Sequence, residues 1–75
     1  MPTGNTIINM TGKLRAKRIT VATLRTYAQT LGRGSIADRA FRHHKELTRD
    51  GIKVEVKMVA TGFILQTCCH AFRYA

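Results

Sequence analysis

The stretch Asp50-Gly51-Ile52-Lys53-Val54-Glu55-Val56-Lys57-Met58 decides the fold, because the spacing of its apolar residues changes at the glycine. Before Gly51, apolar side chains recur every three or four residues. After it, Ile52, Val54, Val56 and Met58 alternate with Lys53, Glu55 and Lys57, the period-two pattern of a strand buried on one face only. A helical region therefore gives way to a sheet within one short chain.

Working back from Asp50, Ile36, Ala37, Ala40, Phe41, His44 and Leu47 form the apolar stripe of a helix that Asp50-Gly51 terminates. Ser35, with Asp38 three residues on, has the form of a capping box with a shortened acid. Further back, Val21, Leu24, Ala28 and Leu31 keep helical spacing, with Tyr27 beside them. Thr20 is placed as N-cap, Ile19 and Leu24 as a hydrophobic staple, and Gly32 as the left-handed C-cap, predicting a helix over 21–31. Gly32-Arg33-Gly34 joins the two helices.

Working forward, Ala60-Thr61-Gly62 turns the chain into a last strand predicted from Phe63 to about Tyr74. At the other end, 6–10 reads as a short strand. Lys13, Arg15 and Lys17 then alternate with Leu14, Ala16 and Arg18, so a strand there would carry a cationic face. The expected architecture is α+β, one domain over 1–75, with two helices on one face of a small antiparallel sheet built from an N-terminal strand and a C-terminal hairpin.

Composition bounds what such a domain does. Seventy-five residues hold 13 Lys and Arg against 4 Asp and Glu, a formal charge of +9, while an apolar fraction of 44% is ordinary for a folded protein. So large an excess repels copies of the chain and attracts polyanions, whose counterions are released when Lys or Arg meets phosphate. A core this small favours a supplement, through a homodimer or a partner surface. No apolar run approaches the ~20 residues of a membrane span. Cys68 and Cys69 are adjacent and make no disulfide framework, so a reducing, cytoplasmic setting is expected.

Two surfaces are candidates for the anion. The first is the uncovered sheet face, with Lys13, Arg15, Lys17, Lys53 and Lys57, and with Arg18, next to Lys17 in sequence, as a further phosphate contact. Phe72 and Tyr74 are expected outward there as stacking rings, a combination suited to single-stranded nucleic acid, whereas Phe63, Leu65 and Cys69 fill the core. The second is the polar face of the second helix, with Arg39, Arg42, His43, Lys45 and Arg49, and Arg33 near its start. Asp38 and Glu46 stand four residues to either side of Arg42 as its expected ion-pair partners. Helix, glycine turn and helix resemble a helix-turn-helix without its third helix.

Chemistry is not expected. His43, His44, His70, Cys68 and Cys69 are zinc-preferring types without a paired zinc-finger spacing, and His44 reads as a core histidine with a satisfied hydrogen bond. Gly32-Arg33-Gly34-Ser35 lacks the length and Lys-Ser/Thr ending of a P-loop. The four carboxylates, Asp38, Glu46, Asp50 and Glu55, form no evident catalytic pair. No metal or other cofactor is expected, and the chain reads as a non-enzymatic accessory protein binding DNA or RNA. The alternative is a small virus-encoded inhibitor or adaptor, of the anti-CRISPR kind, docking on an acidic surface of a host nucleic-acid-processing complex.

Overall fold

A computed structural model describes residues 16–75, in the order β1 (Lys17–Ile19), α1 (Val21–Leu31), α2 (Ile36–Arg49), β2 (Glu55–Val59), β3 (Gly62–Gln66) and β4 (Ala71–Tyr74). The strands form one antiparallel sheet in the order β1-β2-β3-β4, and both helices pack against the same face of it. The α+β architecture read from the sequence is thus the one adopted. The proposed strand at 6–10 and the cationic positions Lys13 and Arg15 lie outside the described residues.

The helices begin and end where their capping residues place them. Thr20 is extended (φ −82°, ψ 161°), and its hydroxyl accepts the Thr23 amide at 3.1 Å, satisfying one of the amides that a helix start leaves unpaired. At the other end Gly32 takes φ 89°, where a side chain would be strained, and donates to the Ala28 carbonyl at 3.0 Å. Ser35 caps α2 by accepting the Asp38 amide at 3.1 Å. The Asp38 carboxylate reaches back to the Gly34 amide at 3.2 Å, one residue beyond the Ser35 amide of a standard capping box.

The core joins Leu24 and Ala28 of α1, Ala37 and Ala40 of α2, Val56 of β2, and Phe63 and Leu65 of β3. Two alanines on α2 let it lie close to the sheet. Burying Leu24 and Leu65 completely contributes roughly 1.5–3 kcal/mol each by transfer from water. Around this centre Ile19, Ile36, Phe41, Leu47, Val54, Met58, Phe72 and Tyr74 are partly buried.

Register fixes which side chains share a face. Val56 opposes Leu65, Met58 opposes Phe63, Leu65 opposes Phe72 and Phe63 opposes Tyr74, so all of these turn toward the helices. In β1, Lys17 opposes Met58 and Ile19 opposes Val56, leaving Arg18 on the uncovered face opposite Lys57. Several expectations are corrected here. Lys17 is on the helix side, not on the open cationic face, because pairing with β2 sets the parity of so short a strand. The last strand is interrupted at Thr67–His70, which makes three C-terminal strands in a meander. As a result, Phe72 and Tyr74 point to the helices rather than outward, and Cys69 is exposed in the turn rather than in the core. The strand after α2 starts at Glu55, and Ile52 is held in the connection by its amide, which donates to Leu47 at 3.0 Å.

Candidate functional site

The uncovered sheet face is organised around one row that crosses every strand. Arg18 opposes Lys57, Lys57 opposes Ile64, and Ile64 opposes Arg73, so three cations and one isoleucine lie side by side. Ile64 is only 8% exposed although it is outside the core cluster, flanked instead by the long stems of Lys57 and Arg73. Glu55 pairs with Arg18 and lies 3.7 Å from Lys57, so one carboxylate serves two of the three cations. With Phe72 and Tyr74 turned inward, none of the aromatic rings expected here lies on this face. Arg73 joins the row unexpectedly: taking β3 and β4 as one strand assigns it the opposite parity.

The outer face of α2 is different. Arg39, Arg42, Lys45 and Arg49 are all exposed. Of these four, only Arg42 has an ion-pair partner among the described residues, its Nε and Nη2 donating to one Asp38 oxygen at 3.1 and 2.7 Å. The expected second partner of Arg42, Glu46, makes no ion pair among the described residues and lies with Arg42, Lys45, Thr48 and Arg49 around a shallow surface depression. Hydrogen bonds from Arg42 and the Gly34 amide hold the Asp38 carboxyl below the ordinary carboxylate range. Lys45 lies over the Phe41 ring, 5.5 Å from its centroid, which keeps its stem along the helix.

His43 is not part of this exposed strip. It is half-buried against β4, with its ring edge-on to Phe72 at 4.8 Å and its Nδ1 in contact with the Tyr74 hydroxyl. His70 also meets Phe72, with ring centroids 5.5 Å apart and 30° between planes. The rings expected to stack on bases instead fasten the edge strand to α2. His44 also departs from expectation, since its buried Nδ1 has no hydrogen-bond partner among the described residues. Burial lowers its pKa, which favours the neutral ring.

Lys53 lines a groove of 660 Å³ shared with Arg18, Thr20, His44, Gln66 and Cys68. Arg33 is exposed in the connection between the helices. The sequence-derived cations are therefore not gathered into one surface. Arg18 and Lys57 go to the sheet face, Arg39, Arg42 and Lys45 to α2, Lys53 to the groove that Arg18 also borders, and Arg33 to the connection between the helices. Arg73, absent from the sequence-derived set, was obscured by the interruption at Thr67–His70.

Among the described residues no group of three or more His, Cys, Asp or Glu side chains could hold a metal ion, and no helix is long and apolar enough to cross a membrane. Comparison with protein-family models, with curated proteins and with solved structures finds no match.

Proposed function

We propose that this chain is a nucleic-acid-binding accessory module that engages the phosphate backbone of a duplex through the outer face of α2, without catalysing a reaction. The observation that carries this reading is the strip Arg39, Arg42, Lys45 and Arg49, on which three of four cations have no anionic partner among the described residues. From Arg39 to Arg49 the strip runs roughly 15 Å along the helix at 1.5 Å per residue, long enough to meet successive phosphates. The sheet face is the weaker candidate, because Glu55 already neutralises part of its charge. Contacts of this kind position a protein on a duplex without reading bases.

The test is affinity for one duplex and one single strand of equal length across a salt series. The triple variant Arg39→Glu/Lys45→Glu/Arg49→Glu is compared with Arg18→Glu/Lys57→Glu/Arg73→Glu. The reading expects preference for the duplex, and a logarithmic salt slope that falls by about 2–3 only in the α2 variant. Equal loss in both variants, or binding too weak to measure near physiological salt, would overturn it and direct attention to an acidic protein surface.

A further inference from the structure

The turn between β3 and β4 is Thr67-Cys68-Cys69-His70, which has none of the glycine, proline or asparagine residues that usually make such turns. Thr67 closes it instead. Its amide and its hydroxyl both donate to the His70 carbonyl, at 2.8 and 3.2 Å, and the hydroxyl accepts the His70 amide at 3.0 Å. Adjacent side chains of an extended strand diverge to opposite faces. Here the turn brings Cys68 and Cys69 together, with their sulfurs 2.9 Å apart, and both are free and exposed. Neither packs into the core, so the fold itself does not require the pair.

We propose that Cys68 and Cys69 are a reversible redox site that closes to a vicinal disulfide under hydrogen peroxide and reopens under small thiols. The thiolate of one cysteine attacks a peroxide oxygen, the O–O bond breaks, and a sulfenic acid forms as hydroxide leaves. The second sulfur then attacks the first; the S–O bond breaks, and water departs with the second thiol's proton. In sum, two thiols and one hydrogen peroxide give one disulfide and two waters, the sulfurs losing the two electrons that the peroxide gains.

The surroundings divide the roles. The thiol of Cys69 is hydrogen-bonded to Cys68 and resists ionisation beside it. Cys68 borders the groove that also holds Arg18 and Lys53. Cys69, held protonated against its neighbour, is therefore the resolving sulfur, which leaves Cys68 as the attacking one. A bridge between neighbours encloses almost no chain, so it adds little to stability through loop entropy. Adjacent α-carbons, ~3.8 Å apart, are also closer than the ~4.4 Å lower end for ordinary disulfides. Such a bond is readily reduced and suits a switch better than a staple.

The full chain is treated with near-stoichiometric hydrogen peroxide, alkylated with iodoacetamide, and weighed intact with and without prior dithiothreitol. The expected product is a monomer lighter by two hydrogens that takes up no label, and that takes up two after reduction. Cys69→Ser should accumulate a sulfenic acid at Cys68 that dimedone traps, and Cys68→Ser should react with peroxide roughly tenfold more slowly. Two labels on peroxide-treated wild type, a disulfide-linked dimer, or sulfinic acid without an intramolecular bond would each overturn the proposal.

Discussion

The Tyr74 hydroxyl meets Nδ1 of His43, tying the edge strand β4 to the middle of α2 across 31 residues of sequence. Phe72 packs against the same imidazole. Replacing Tyr74 by Phe keeps the ring and removes this one polar contact, so a loss of about 0.5–1.5 kcal/mol is expected. It would be read as a lower urea midpoint at unchanged slope. A midpoint equal to that of wild type would show that the contact adds nothing net.

Gly62 sits where the end of β4 passes. A Cβ there would fall on the Tyr74 carbonyl oxygen, which is backbone and cannot swing aside. Gly62→Ala should therefore cost about 1–3 kcal/mol or more by overpacking, first loosening β4. Hydrogen exchange would register this as lost protection at Phe72–Tyr74 before any change in α1.

Asp38 should make stability depend on acid. Its pKa is lower folded than the ~3.9 of an unfolded chain. The stabilisation is thus complete above that value and is lost as pH falls through the folded pKa, because the unfolded chain then binds the proton more readily. Asp38→Asn should lower the urea midpoint at pH 7 and have a shrinking effect toward pH 2. A difference that stays constant across the range would mean that the cap acts only through its shape.

His44 should act in a higher window. Burial depresses its folded pKa below the ~6.5 of an unfolded histidine, so stability falls as pH drops from about 6.5 toward the folded value. His44→Leu removes that proton-binding site together with a buried nitrogen that has no partner among the described residues, and should raise stability by about 1 kcal/mol. Denaturation at pH 7.5 and pH 5.5 checks both points. A variant less stable than wild type at both values would point to a hydrogen bond made by His44.

Both helices were legible in the sequence because their signals are local. Thr20, Gly32 and Ser35 fix boundaries through bonds to residues three or four positions away, and the apolar stripe needs no knowledge of a partner. The alternation from Val54 to Met58 likewise identified the core face of β2. What the sequence did not yield depends on pairing. A three-residue strand takes its parity from β2, so Lys17 and Arg18 exchanged faces. The Thr67–His70 turn is made by a threonine side chain, and without a recognisable turn residue the segment from Phe63 to Tyr74 reads as continuous. That single omission displaced Phe72, Tyr74, Cys69 and Arg73 together. The basic strip on α2 survived because a helix spaces its residues without outside help.

The two cationic arrangements differ in what could change them. Arg18, Lys57 and Arg73 are neighbours only because three separate strands hold their register, so a slip of any one dissolves the row. Arg39, Arg42, Lys45 and Arg49 belong to one continuous helix and keep their order through any rearrangement that leaves α2 wound. Charge on the helix can thus be added, removed or re-spaced one exposed residue at a time, without consulting the rest of the chain. The sheet row is a property of the assembled fold, gained or lost with it.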